Sequence, residues 1–415
     1  MVSLSAQLRD SGYSLVQNSA GADIIIINTC SVTGGTESKV KRLIKSIART
    51  SPKCKILVTG CLAQQNPGDL MDRAGVCWVV GTSYKDEIVR ILEDGRQGVF
   101  CAELTKDNTP VALYDSCCYN PEQDLRTRFH LKIQEGCDYR CSFCIVPVLR
   151  GPSRSVPANE IKRICKQALD AGCKEIVLTG THIGQYADGK DYTLVQLIDD
   201  IVCYNHDFRL RLSSLDPRDC TDEILQRIGD EERICAHIHL SVQSFSPEVL
   251  EGMNRRYRDY DMLIERLDSF RKKWPHAAIG GDFIVGFPGE TESMFETTLH
   301  MVRNLGFSYG HVFRYSRRPH TVASERGGQI SEKEKTERSD RLRECLVELR
   351  CKFIENQIDK VTHRIIVEQQ NPAKGVTSNY IRVVVPQTFA KRNTWQEVRL
   401  KKYIPAENVC ESCLL

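Results

Sequence analysis

The sequence predicts an α/β protein in three parts. A doubly wound parallel sheet comes first, a partial barrel of six β/α units follows, and a small β-barrel ends the chain. Two observations carry the first two parts. Short apolar runs alternate with amphipathic segments between residues 23 and 313, a pattern that builds parallel sheets covered by helices. The runs repeatedly end in glycine, serine, threonine or cysteine, at the sheet edge where α/β proteins place their sites. After Asp359 the pattern turns to β alone, which accounts for the third part.

The first part spans residues 1–100. Residues 5–12 read as an amphipathic helix with Leu4 and Leu8 on one side. Residues 23–28 form an apolar run of the buried parallel-strand type. Residues 37–48 read as a basic helix, 55–59 as a strand ending at Gly60-Cys61, 76–80 as a third strand and 85–92 as a helix. Cys30 and Cys61 each follow the carboxyl end of a strand. They either converge on one site or are two ordinary buried cysteines. A doubly wound domain normally opens on a strand, yet this chain opens almost inside a helix, and two cysteines are too few to hold a cluster. A first strand and a third ligand are therefore expected upstream of Met1. Residues 100–122 lack periodicity and read as a link in which the adjacent Cys117 and Cys118 are incidental.

The central part spans residues 123–354. Strands are expected at 129–133, 175–178, 209–212, 236–240, 278–285 and 309–313, with helices at 158–171, 194–202, 262–273 and 291–305. Six strands are too few to close an eight-stranded barrel, so a partial barrel fits. Its strand ends form one expected mouth: Gly180, Ser214, Gln243, residues 286–290, Arg314 and the loop after residue 133. That loop holds Cys137-Asp138-Tyr139-Arg140-Cys141-Ser142-Phe143-Cys144. Three thiols at C-x3-C-x2-C spacing suit one soft metal centre, above all an iron–sulfur cluster with one iron left open. A zinc site or buried thiols are the alternatives, although no second Cys or His pair follows soon after Cys144.

In the last part, residues 331–358 read as a long charged helix with an apolar stripe of Leu342, Cys345, Leu346, Leu349 and Phe353. Residues 355–415 form the β part, with strands at 361–368, 380–385 and 397–400. Arg382, Lys391, Arg392, Arg399, Lys401 and Lys402, interleaved with Tyr380, Trp395 and Tyr403, suit an RNA surface, where cations take phosphate and rings stack on bases. Cys410 and Cys413 form a lone pair that is weak grounds for a metal.

Composition sets the compartment. No apolar run in the 415 residues reaches transmembrane length, and the start lacks the regions of a signal peptide. A cytoplasmic protein is expected. Its 19 cysteines then argue for metal ligation by a subset rather than disulfides. The net charge of +3 is too mild by itself to signal nucleic acid.

The C-x3-C-x2-C loop with Phe143 before its last cysteine resembles the radical S-adenosylmethionine (SAM) enzymes. Residues 131–144, Pro147, residues 150–155, 286–291 and 315–319, with Cys30 in Asn28-Thr29-Cys30 and Cys61 in Val58-Thr59-Gly60-Cys61, together resemble the methylthiotransferases of that superfamily. The resemblance spans essentially the whole chain. It implies a flavodoxin- or Rossmann-like amino-terminal sheet, a partial (β/α)6 radical SAM barrel and a TRAM module, the last carried by residues 379–383. It implies that Cys137, Cys141 and Cys144 hold a [4Fe-4S] cluster that binds and cleaves SAM, and that Gly180, Ser214 and Gln243 help hold SAM. Cys30 and Cys61 would be two of three ligands of an auxiliary [4Fe-4S] cluster that takes part in sulfur delivery. The implied reaction puts a methylthio group on C2 of an adenine in tRNA after a 5′-deoxyadenosyl radical removes the hydrogen. It needs an electron donor and a sulfur donor, and neither a membrane nor DNA. Residues 177–184, 150–155 and 254–257 look most like the group acting on threonylcarbamoyl-adenosine. The isopentenyl-adenosine group is the runner-up, and an RNA-binding relative without sulfur transfer is the alternative if the third ligand is absent. Phe245 and His320 stand where the family usually has glycine.

Overall fold

In a computed structural model, the structure describes residues 2–16, 21–30, 34–102, 119, 127–255, 260–370, 372–385 and 391–414. Most of the expected linker, including Cys117 and Cys118, and residues 256 and 257 lie outside this set. The chain divides into two compact units. The first comprises Met1–Cys118, Gly136–Arg154 and Ser316–Ser324, and the second Tyr119–Glu135, Ser155–Tyr315 and Glu325–Leu415.

The first unit holds a parallel sheet of β1 (Ile24–Thr29), β2 (Lys55–Gly60), β3 (Val76–Val80) and β4 (Gly98–Phe100), in that order. Side chains alternate across it. Ile56 and Val58 pack with Val40, Ile44 and Ile47 of the helix Gly34–Thr50. Leu57 and Val80 pack on the other face, with Leu4 and Leu8 of the helix Val2–Asp10 and with Ile88 and Ile91. Helices thus cover both faces. Among the described strands β1 lies at the sheet edge, so Ile24, Ile25 and Ile26 are only half-buried. Their apolar run had suggested full burial.

In the second unit, β5 (Phe129–Glu135), β6 (Glu175–Gly180) and β7 (Arg209–Leu212) pair in parallel, as do β8 (His237–Gln243), β9 (Ala278–Val285) and β10 (Tyr309–Arg314). Isolated parallel bridges from Leu215 to Leu240 and from Leu210 to Ile234 join the two sets. The six expected strands therefore run in sequence order around a partial barrel. Helix starts follow local chemistry. Thr193, Thr291 and Ser331 cap the helices Leu194–Val202, Glu292–Asn304 and Glu332–Glu355 through their side-chain oxygens. Residues 291 and 331, expected inside helices, are those caps. The helix Asp222–Asp230, capped by Thr221, was not anticipated.

The unit ends in a closed five-stranded barrel. Its strands are β11 (Thr362–Gln370), β12 (Ala373–Val376), β13 (Arg382–Val384), β14 (Trp395–Ile404) and β15 (Val409–Leu414), in the order β11-β12-β13-β15-β14. Strands β12 and β15 were missed. Gly375 on β12 has no room for a side chain, since a Cβ would lie 2.5 Å from the Ile366 carbonyl oxygen. Cys410 and Cys413 both fall on β15, three residues apart and so on opposite faces. Cys410 is fully buried in the barrel core, which rules out the metal pair. Among the described residues, no helix is long and apolar enough to cross a membrane.

Candidate functional site

Parallel pairing sets Thr29 opposite Gly60. Cys30 and Cys61, the next residues, therefore leave one sheet edge side by side. The Thr29 hydroxyl donates to the Thr59 carbonyl at 2.7 Å and ties the two strand ends. Gly60 adopts φ 99°, and a Cβ there would lie 2.2 Å from the Thr29 carbonyl oxygen. Cys61 then opens the helix Cys61–Gln65 and is buried, whereas Cys30 is exposed.

The loop 136–154 belongs to the same unit. It is folded on itself by main-chain bonds. The Cys137 N–H donates to the Gly151 carbonyl at 3.2 Å, and the Cys144 N–H to the Cys141 carbonyl at 3.0 Å. Asp138 accepts the Ser153 N–H at 2.9 Å. Gly136, at φ 76°, passes so close to Pro152 that a Cβ would meet its carbonyl oxygen at 1.8 Å. Cys137, Cys141 and Cys144 are each half-buried. The short helix Val146–Arg150 closes the loop and sets Ile145 and Leu149 against Cys61. The Arg150 guanidinium donates to the Cys61 sulfur at 3.3 Å. Register thus brings Cys30 and Cys61 out of the sheet together, and Cys61 meets the helix that follows the cysteine loop. Spacing alone gave no sign that Ile145, Leu149 and Arg150 would meet Cys61.

Arg318 is a further cation of this unit, with only 5% of its surface exposed. Its Nη1 lies 3.7 Å from Glu37, and its Nε and Nη2 have no hydrogen-bond partner. Burial pushes its pKa down, against the opposing charges of Glu37 and Cys30. His320 is exposed and holds φ 67°, the backbone conformation that glycine adopts without strain. That explains why glycine suits the position.

Gly180, Ser214 and Gln243 belong to the second unit, at or just beyond the carboxyl ends of β6, β7 and β8. Gln243 carries φ 72°, a rare conformation for a residue with a side chain. Ser214 is exposed. The turn after β9 is fixed by Glu290, which accepts the Gly286 N–H at 2.6 Å and the Arg338 guanidinium at 2.8 Å. Burial raises the Glu290 pKa against both donors. Arg314 turns to Thr336, at 2.8 Å. Phe245 is fully buried in a cluster with Phe283 and Phe307, so its bulk serves the core rather than the mouth.

Two polar groups here had no sequence signal. Asp216 binds Arg218 at 2.7 Å and Arg255 at 2.8 Å. Burial works to raise its pKa, and the two guanidiniums outweigh it and hold the carboxyl low. His182 pairs with Asp219. At the opposite ends of the strands, Glu175 is fully buried between Arg209 and Arg211. These arginines donate to main-chain carbonyls of Arg364, Val376, Thr377 and Ser378 in the terminal barrel. Tyr380 stacks on His237 and Tyr309 at 4.9 and 5.2 Å. Trp395 lies between Arg209 and Arg364. Both rings, read as surface stackers for bases, are half-buried and stack on these neighbours of their own unit. Arg382, Lys391, Lys401 and Lys402 remain exposed.

Comparison with known proteins agrees with this architecture. Residues 2–81 match a family described only as uncharacterized protein family UPF0004, and residues 131–302 match the radical SAM superfamily. The chain is 35% identical to the threonylcarbamoyladenosine tRNA methylthiotransferase MtaB of Bacillus subtilis, over 92% of this chain and 86% of that protein. It is 36% identical to the protein of the same name from Thermotoga maritima, over 96% and 90%. It is 32% identical to the tRNA-2-methylthio-N(6)-dimethylallyladenosine synthase of Bartonella bacilliformis, over 96% and 89%. Among solved structures, the radical SAM methyltransferase TsrM of Kitasatospora setae, with cobalamin and a [4Fe-4S] cluster bound, superposes with a TM-score of 0.55 at 15% identity, over 78% of this chain and 70% of that one. At such identity the likeness is one of fold. Relatives that share a third of their residues along nearly the full length leave one conclusion: the chain belongs to the methylthiotransferase family of radical SAM enzymes.

Proposed function

We propose that this enzyme is a tRNA 2-methylthiotransferase that converts N6-threonylcarbamoyladenosine at position 37, beside the anticodon, to its 2-methylthio derivative. The observation that carries the reading is the contact of Cys61 with the short helix that closes the loop of Cys137, Cys141 and Cys144, where Arg150 donates to the Cys61 sulfur. The names of the Bacillus and Thermotoga relatives support the substrate.

Three half-buried thiols on one loop are a donor set fit for an iron–sulfur cluster. Cys137, Cys141 and Cys144 would hold it, and bound there with SAM it would supply the reductive cleavage of SAM. Cys30 and Cys61 would hold an auxiliary cluster together with a further ligand. The chain's own residues orient and shield. Ile145 and Leu149 keep water from the Cys61 side. Arg150 donates to the Cys61 sulfur, the kind of outer hydrogen bond that tunes a cluster. Gly180, Ser214 and Gln243 lie at strand ends suited to holding SAM. Residues 1–100, 123–354 and 355–415 serve as sulfur-delivery, radical and tRNA-binding parts, and Arg382, Lys391, Lys401 and Lys402 meet phosphate. A cytoplasmic setting, a low-potential electron donor and a sulfur source complete the reading.

The test uses anaerobically reconstituted protein, SAM, reductant and tRNA, with nucleosides analysed by mass spectrometry. The methylthio derivative of threonylcarbamoyladenosine is expected. Appearance of the isopentenyl derivative alone would move the assignment to the group of the Bartonella relative. Cys141→Ala abolishes release of 5′-deoxyadenosine, and retained release would falsify the assignment of the SAM-cleaving cluster. About eight irons per chain are expected if both sets bind a four-iron cluster, and about four if only the loop does.

A further inference from the structure

Strands β8, β9 and β10 carry a group of ionisable side chains that the proposed reaction leaves unused. Val312 and Phe283 are buried, and their neighbours in sequence, His311 and Asp282, emerge on the opposite face. Registration sets Asp282 beside His311 across β9 and β10, while Gly280 on β9 pairs with His239 on β8. Three strands thus bring two imidazoles and one carboxylate to one place. The Asp282 Oδ1 lies 3.0 Å from the His239 Nε2 and 3.0 Å from the His311 Nδ1. One ligand atom from each residue lies within 4.8 Å of the other two.

We propose that His239, Asp282 and His311 bind one divalent cation of the zinc class, in a two-histidine, one-carboxylate site built entirely within the second unit. Four arguments carry it. The spacing is close: bonds of about 2.0–2.2 Å in a tetrahedral site put neighbouring ligand atoms about 3.3–3.6 Å apart, so the two 3.0 Å separations open by a few tenths of an ångström, and the two imidazole nitrogens, within 4.8 Å of each other, adjust to the same value. The donor set fits: imidazole and carboxylate suit borderline divalent ions, unlike the thiolates of the cysteine loop. The support fits: the other nitrogen of His239 is held by the Tyr309 hydroxyl at 2.9 Å, which also meets the His237 Nε2 at 2.6 Å. Such an outer partner fixes the ring of a metal-binding histidine. Access also fits. The His239 side chain is 9% exposed and Asp282 23%, but His311 is 57% exposed. The ion enters from the His311 side and keeps a position open there for water or a substrate oxygen. Binding displaces the protons that now lie between the carboxylate and the rings. The proposal does not depend on which nucleoside is the substrate.

The test titrates cobalt(II) into anaerobically reconstituted protein with its clusters oxidised. Binding is followed by low-temperature electron paramagnetic resonance, with cobalt and iron counted by elemental analysis after desalting. About one cobalt per chain is expected, with iron unchanged. His311→Ala weakens binding by at least about tenfold, and Asp282→Asn does the same. Because His311 is exposed, its variant keeps its fold, which iron content and circular dichroism check. The absence of saturable binding overturns the site. So does binding that His311→Ala leaves unchanged, or binding whose near-ultraviolet thiolate-to-cobalt charge transfer shows that cysteines hold the ion. In each of these cases the three side chains form a hydrogen-bonded group and nothing more.

Discussion

Gly60 shows how little tolerance the sheet edge between Cys30 and Cys61 has. With φ 99° and the Thr29 carbonyl 2.2 Å from where a Cβ would stand, Gly60→Ala combines backbone strain with a clash. Its cost is expected to exceed about 2 kcal/mol in urea denaturation. His320 is the converse case. A side chain occupies a glycine-like conformation at φ 67°, so His320→Gly is expected to add about 1 kcal/mol of stability, read as a raised Tm. The cysteine loop was legible as a candidate site because the spacing of its thiols is local. Cys30 and Cys61 were legible because each ends a recognisable strand. His239, Asp282 and His311 were not, because only strand register brings them together.

At the level of elements, Glu175 on β6 is held ionised between Arg209 and Arg211 on β7, since burial acts to raise its pKa and the two guanidiniums outweigh it. Glu175→Gln leaves two buried cations without their partner, and the loss is expected to be about 3–5 kcal/mol by chemical denaturation. His363 on β11 answers to pH. Burial, helped by the charge of His276, lowers its pKa from 6.5 to about 4. Below pH 6.5 the unfolded chain takes up a proton that the folded chain refuses. Stability therefore falls as the pH drops from 6.5 towards 4, by up to about 3 kcal/mol. His363→Leu flattens the slope of Tm against pH in that window. The strands of the terminal barrel were half legible. The long apolar-alternating strands stood out, whereas β12 has four residues with a glycine among them, and β15 is interrupted by Glu411, Ser412 and Cys413. The stacking of Tyr380 on His237 had no sequence signal, because composition does not show which neighbours a ring will meet.

Across the molecule, order of strands was readable, since alternation and strand ends are local properties that repeat. The arginine connections of the second unit were not, because they join residues more than 150 positions apart. They make the terminal barrel a structural partner of β7 as well as a carrier of basic residues. A chain ending at residue 354 is therefore expected to lose solubility and thermal stability, and not only affinity for tRNA, a result that static light scattering and melting curves would read. There is a consequence for biosynthesis. The last strand, Val409–Leu414, pairs with β13 and β14 to close the barrel whose carbonyls receive Arg209 and Arg211. On the ribosome, the two arginines are made some two hundred residues before that closure. Glu175, made earlier still, can pair their charges, but the N–H groups that the barrel carbonyls receive must wait without those acceptors. A stalled or prematurely stopped message yields a chain marked by those exposed ends, a ready substrate for chaperones and proteases.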